Sequence, residues 1–111
     1  MTGMLSIVPT PLGNLGDMSQ RSLDVLSAAD IVCAEDTRVT GKLLAHFGID
    51  ARLERCDENV IARKSATLVE RMKAGEHIAF CSDAGMPGVS DPGLVLVDHA
   101  LDADIRVEVL P

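Results

Sequence analysis

Residues 77–100 read HIAFCSDAGMPGVSDPGLVLVDHA, and the elements predicted here indicate the fold class. Its apolar start, 77–81, leads into CSDAGMPGVSDPG, which holds three glycines, two prolines and two aspartates, and a second apolar run, 94–100, follows. Glycine permits close approach of a backbone, and proline limits how far a loop can rearrange. Asp91 followed by Pro92 is a favourable helix start. The stretch therefore predicts a buried strand, a loop whose backbone is shaped to bind a ligand, and a helix.

The same alternation of apolar runs and helical patterns extends over the rest of the chain. In the second helix Val39, Leu43, Leu44 and Phe47 are predicted to share one face, and in the third helix Asp57 is predicted to cap the start and Gly75 to end it. The predicted strands are Leu5–Pro9, Ile31–Ala34, Arg52–Cys56, His77–Cys81 and Ile105–Leu110. The predicted helices are Ser19–Ala29, Thr37–Phe47, Glu58–Ala74 and one that begins at Asp91. This order predicts an α/β domain with a five-stranded, mostly parallel sheet and helices on both faces.

Composition narrows the function classes. The chain has 111 residues, 47% of them hydrophobic, which suits one globular domain with a real core. Only two aromatic residues are present, both Phe, so a surface that stacks nucleic-acid bases is not expected. The formal charge of −7 argues against an extended phosphate-binding face, although a local basic cluster can exist within an acidic total.

The cysteines and the N-terminus indicate a reducing compartment. Cys33, Cys56 and Cys81 form no CxxC pair and have no histidine at metal-ligand spacing, so we expect buried core thiols and no structural zinc. No signal-peptide pattern and no run of membrane-spanning length occurs, so a cytoplasmic location without a membrane partner is expected.

Three chemically unusual loops are predicted at the same edge of the sheet. They are residues 10–17 (TPLGNLGD), 35–38 (EDTR) and 82–90, and each follows a predicted strand. Ligands of open parallel sheets bind beyond the carboxyl ends of the strands. TPLGNLGD lacks the spacing of a dinucleotide or phosphate loop, so an ordinary strand-to-helix turn explains it equally well.

The EDTR segment places two carboxylates, a hydroxyl and a guanidinium at a strand end. One interpretation is a catalytic or substrate-positioning group made of Glu35, Asp36, Thr37 and Arg38. The alternative is that Asp36 caps the next helix while Glu35 and Arg38 form a solvated pair. In the same way, Asp83 and Asp91 are each either functional or turn-forming, and Asp91 favours the turn-forming interpretation.

Other polar residues are expected to be structural. His46, His77 and His99 are isolated in the sequence, and Arg63, Lys64, Arg71 and Lys73 are most simply a solvated helix face. No Ser-His-Asp or Cys-His set is suggested, so hydrolysis by a side-chain nucleophile has no support.

Three long motifs carry a family resemblance. VPTPLGNLGDMSQRSLDVLSAADIVCAEDTRVTGKLLAHFGI, then SDAGMPGVSDPG and a final VEVLP, resemble the N-terminal domain of the small-subunit ribosomal RNA methyltransferase I family, within the tetrapyrrole methylase superfamily. The chain departs from the family at CDEN, residues 56–59, where Asp57 replaces a usual histidine.

The resemblance implies a two-domain enzyme that binds S-adenosylmethionine between its domains. It would transfer a methyl group to a cytidine ribose 2′-oxygen in 16S rRNA, acting on the rRNA or the 30S subunit. A domain without its neighbour would expose a docking surface, so self-association as a homodimer is also expected. By the family pattern Leu12, Asp83 and Met86 touch the cofactor, and Ala84 and Gly85 of the same loop are predicted to help bind it. The convergence of the loops makes Glu35 or Asp36 the candidate base, with Thr37 and Arg38 positioning the substrate or a phosphate. By the same pattern the chain, which stops at Pro111, is expected to be an N-terminal domain without the C-terminal one.

Two alternatives stay open. The acceptor could instead be a small tetrapyrrole, as elsewhere in the superfamily. The chain could also be a non-catalytic nucleotide-binding or assembly module that docks a partner through an apolar surface.

Overall fold

The computed structural model describes residues 2–11, 15–83 and 91–111. Within them, strands and helices alternate as the sequence predicts. The strands are β1 (Met4–Thr10), β2 (Ile31–Ala34), β3 (Leu53–Arg55), β4 (His77–Asp83) and β5 (Arg106–Val109). The α-helices are α1 (Gln20–Ala28), α2 (Thr37–His46), α3 (Ile61–Lys73) and α4 (Asp91–Asp102), and a short 3₁₀ helix spans Leu15–Asp17.

The strands form one sheet in the order β3-β2-β4-β1-β5. All neighbouring strands run parallel, so the prediction of a mostly parallel sheet is confirmed and the described sheet is parallel throughout. The central strand β4 lies between β2 and β1, although it is the fourth strand in the chain. The central strand therefore has neither of its chain neighbours, β3 and β5, beside it in the sheet.

Each face of the sheet carries two helices and its own apolar core. On one face Leu5, Ile7 and Phe80 pack with residues of α3 and α4, and on the other Val8 and Ala79 pack with residues of α1 and α2. Successive residues of a strand point to opposite faces, so strands buried on both sides are apolar throughout. This explains the continuous apolar runs in the sequence and confirms helices on both faces.

The buried thiols and Gly75, at the end of α3, match expectation. Cys33, Cys56 and Cys81 are buried, as predicted. Gly48 and Gly75, which follow α2 and α3, have φ angles of 66° and 106°, a region that a side chain disfavours.

Two details of the helix predictions are wrong. Val39 is exposed, because α2 turns Thr40, with Leu43 and Leu44, towards the sheet instead. The third helix begins at Ile61 rather than Glu58, and no side chain caps it. Asp57 caps the preceding turn: its carboxylate accepts a hydrogen bond from the backbone amide of Asn59 at 3.0 Å.

Candidate functional site

At the carboxyl end of β4, neighbouring strands lead to helices on opposite faces of the sheet. The chain goes from β4 to α4 on one face, whereas β1 and β2, the two neighbours of β4, lead to α1 and α2 on the other face. Loops that depart to opposite faces leave a crevice between them, and ligands of open α/β sheets bind there. The strand order therefore places the carboxyl ends of β1, β2 and β4 next to one another at this crevice, as the sequence predicts.

The ends of β1 and β4 are held in register at this crevice. Thr10 is the register partner of Asp83, and the Thr10 hydroxyl donates a hydrogen bond to the Ser82 carbonyl oxygen at 3.2 Å. Thr10 and Ser82 are both buried. The predicted cofactor residue Asp83 is thus the last residue of β4, while Leu12, Ala84, Gly85 and Met86 lie outside the described residues.

The second group of predicted site residues follows β2. Glu35 directly follows the strand and is half-buried, Asp36 is the residue before α2, and Thr37 begins the helix. The Asp36 carboxylate accepts a hydrogen bond from the Arg38 backbone amide at 3.0 Å, which confirms that Asp36 caps α2. The Arg38 guanidinium lies 3.4 Å from Asp36, so the solvated pair joins Arg38 to Asp36, and the expected pairing with Glu35 is wrong.

These contacts with Arg38 affect the Asp36 carboxylate and so distinguish it from that of Glu35. Hydrogen bonds from the Arg38 side chain, and then from its backbone amide, lower the pKa of the Asp36 carboxyl. A carboxylate held in its ionised form is a poor proton acceptor. Glu35 is one residue closer to the strand, and both of these Arg38 contacts are made by Asp36, so Glu35 is the better candidate for a base.

A cluster of cationic side chains lies beside β3 and was not predicted from the sequence. The Glu54 carboxylate lies 3.2 Å from Arg52, 3.5 Å from Lys64 and 3.6 Å from Arg71. Lys64 and Arg71 were expected to be a solvated helix face, but they converge on a strand residue instead. Their spacing of seven residues, two helical turns, is the sequence signal that places both on the same side of α3.

A polar network lies at the opposite, amino edge of the sheet. The Ser6 hydroxyl donates a hydrogen bond to Glu108 at 2.9 Å and lies 2.7 Å from Nε2 of His77. Glu108 also accepts from Arg21 at 3.1 Å. Nearby residues, including His77 and Arg106, line an open cavity of about 320 Å³. Since Ser6 is fully buried, this network is structural, and it lies away from the crevice.

Relatives of known name share this sequence over its whole length. The family of tetrapyrrole (corrin/porphyrin) methylases matches residues 4–111. A protein of Escherichia coli O157:H7 named ribosomal RNA small subunit methyltransferase I is 51% identical over 109 residues, which cover 98% of this chain and 38% of that protein. The protein of the same name in Vibrio cholerae is 48% identical, with 97% of this chain and 38% of the relative covered. The chain therefore spans about two fifths of the length of these curated relatives.

A solved structure gives the same fold. Uroporphyrin-III-C-methyltransferase from Thermus thermophilus superimposes with a TM-score of 0.77 over 100% of this chain and 48% of its own. The sequence identity is 23%, so the likeness concerns the fold alone. No helix of the described residues has the length and apolar character needed to cross a membrane.

Proposed function

Because the chain belongs to the tetrapyrrole (corrin/porphyrin) methylases, we propose that it forms the N-terminal domain of an S-adenosylmethionine-dependent methyltransferase acting on small-subunit rRNA. The observation that carries the proposal is the 51% identity, over nearly the whole chain, to a relative named for that activity. The longer protein completes the cofactor cleft with a second domain, works in the cytoplasm where ribosomes are found, and forms a homodimer.

The described residues fit an adenosyl sulfonium cofactor in their placement and charge. The ends of β1 and β4 meet in register beside the crevice, and the carboxylates of Glu35 and Asp36 follow the neighbouring strand. Carboxylates at a crevice favour a cationic ligand. In the proposed site Asp83 and the loop residues Leu12, Ala84, Gly85 and Met86 hold the cofactor.

The reaction is the methylation of a cytidine ribose 2′-hydroxyl. The bound cofactor supplies a methyl group on a positively charged sulfur, which leaves as a neutral thioether with the electrons of the broken C–S bond. The residues of the chain align the acceptor and take its proton. Glu35 accepts the hydroxyl proton, Asp36 and Thr37 fix the start of α2, and Arg38 orients the acceptor through a phosphate.

Methyl transfer by the full-length protein tests this proposal. Purified protein is incubated with S-adenosylmethionine labelled in its methyl group and with 30S subunits that lack the modification. We expect label in the small-subunit rRNA, and mass spectrometry of nuclease fragments should locate it on a cytidine ribose. Label on a base, label only on an added porphyrinogen, or no transfer at all would overturn the proposal.

A further inference from the structure

The charges of this acidic chain are distributed very unevenly. The 22 residues from Arg52 to Lys73 contain six of the ten cationic side chains and four carboxylates, a net charge of +2. The other residues contain four cationic side chains and thirteen carboxylates, a net charge of −9. Because carboxylates repel the phosphates of RNA, the part of the domain formed by β3 and α3 is better suited to approach RNA than the rest.

The cations of this segment are arranged around a single carboxylate. Arg52, Lys64 and Arg71 all lie within 3.6 Å of Glu54, and Arg71 also pairs with Glu76 at 2.8 Å. Three positive charges therefore face two negative ones. The Arg52 side chain is 62% exposed, and a guanidinium has five N–H donors, so Glu54 leaves donors of Arg52 directed to solvent.

Register places a fourth cation next to the proposed acceptor site. Arg55 on β3 is the register partner of Ala34 on β2, and Ala34 is followed directly by Glu35. The Arg55 side chain pairs with Asp57 and is 57% exposed. Arg52 and Arg55 stand roughly 10 Å apart along the strand, from the rise of an extended chain. Since β3 is the outermost strand of the sheet, both are accessible from the side.

We propose that these four residues, Arg52, Arg55, Lys64 and Arg71, form a basic edge that contacts phosphates of the RNA acceptor and directs the strand to the crevice. The inference rests on the proposed function and names the surface by which this domain holds its substrate. Phosphate contacts fix position without reading sequence, which suits an edge that lacks aromatic residues. The acidic remainder of the domain disfavours other orientations of the RNA.

Salt-dependent RNA binding by the full-length protein tests the basic edge. The probe is an RNA hairpin of small-subunit decoding-region sequence, and the variants are R52A, R55A and R52A/R55A. Arg106→Ala is the matched control, since Arg106 is an exposed arginine on β5, the opposite edge strand. Each of the substitutions Arg52→Ala and Arg55→Ala is expected to weaken binding about three- to tenfold and to lower the slope of log affinity against log salt by about 0.7 to 0.9. Arg106→Ala should change neither.

The outcomes distinguish this inference from the proposed function. Unchanged affinity and slope in R52A/R55A, with methyl transfer intact, would overturn the basic edge alone. Equal losses in R106A would also overturn it, because the effect would then be one of total charge. If the unsubstituted protein neither binds nor methylates the RNA, both proposals fail. The R52K/R55K variant should keep most of the slope, and bound RNA should protect Lys64 of the unsubstituted protein from acetylation.

Discussion

The hydroxyl of Thr10 donates a hydrogen bond to the carbonyl oxygen of Ser82, 3.2 Å away, across the carboxyl ends of β1 and β4. Both residues are buried, and the two loops proposed to hold the cofactor begin one to two residues beyond them. This contact therefore joins the ends of the two strands from which those loops start.

Thr10→Val should loosen this end of the crevice. The valine keeps the shape of the side chain but leaves the Ser82 carbonyl without this donor, at a cost of about 1 kcal/mol in the free energy of unfolding. We expect a severalfold weaker affinity of the full-length protein for S-adenosylhomocysteine, measured by calorimetric titration. Thr10→Ser retains the hydroxyl and serves as the control. Equal affinities for the Val and Ser variants would show that the contact does not position the loops.

Glu35→Gln should slow methylation by the full-length protein at least tenfold, since general base catalysis typically contributes about 10²-fold or more. The substitution keeps the size of the side chain, so the affinity for S-adenosylhomocysteine should be nearly unchanged. Single-turnover rates and calorimetric titration measure the two quantities separately. Full activity in this variant would exclude Glu35 as the base.

Asp36 offers a comparison between charge and capping. Asn is as good a helix cap as Asp, whereas Ala is not. Asp36→Asn should therefore leave the unfolding midpoint near that of the parent, and Asp36→Ala should lower it. If Asp36 also acts on the substrate, both variants lose activity equally; if it acts only through α2, Asp36→Asn remains active. Thermal unfolding and initial rates on the same preparations separate these cases.

His77 predicts a pH dependence of stability. Burial lowers the pKa of His77 in the folded protein, and the carboxylates of Glu108 and Asp30 oppose this shift. The unfolded chain then binds more protons than the folded one below the ordinary histidine pKa of about 6.5. The free energy of unfolding should therefore fall as the pH drops from about 6.5 through the lowered pKa, and should gain nothing from His77 above that range.

Urea unfolding at a series of pH values checks this expectation. His77→Asn should flatten the dependence between pH 6.5 and 5 relative to the parent. Glu108→Gln removes a charge that favours the protonated histidine, so it should extend the His77-dependent loss of stability to lower pH. A parent protein that gains stability as the pH falls through this range would contradict the argument.

Two glycines should respond to alanine in opposite directions. A Cβ on Gly3 would lie 1.8 Å from the backbone oxygen of Glu76, so Gly3→Ala should destabilise the fold by about 1–3 kcal/mol. A Cβ on Gly41, within α2, would meet only Leu53 Cδ2, at 3.6 Å. Gly41→Ala should therefore stabilise the fold by about 0.5–1 kcal/mol. Denaturant unfolding of both variants tests the pair, and destabilisation by both would show that α2 lacks the room.

Local patterns were enough to predict the elements of this fold. The bounds of β2 were predicted correctly, because Ala29–Asp30 before it and Glu35–Asp36 after it delimit a short apolar run. The exposed position of Val39 was not predicted, since the rotation of α2 about its axis depends on packing against the sheet. The start of α3 was missed because Asp57, a good capping residue, caps a turn one step earlier.

The sequence predicted which edge of the sheet carries the candidate site, but it did not predict the side-chain contacts there. Parallel topology alone brings Thr10, Glu35 and Asp83 to the same side of the sheet. The pairing of Arg38 with Asp36, and the convergence of Arg52 and Arg71 on Glu54, depend on side-chain geometry that no local pattern contains. The roles of Leu12, Ala84, Gly85 and Met86 stay predictions of the family pattern.

The central position of β4 has a consequence for synthesis on the ribosome. β1 and β2 emerge early, yet they are not neighbours in the sheet, and both must wait for residues 77–83 before either meets its main partner. Until β4 is made, β1 is an unpaired apolar strand and β2 can pair only with β3, and exposed apolar segments of this kind are what chaperones bind. During synthesis, the sheet is therefore expected to form in one cooperative step after β4 has been made, and the crevice forms only then.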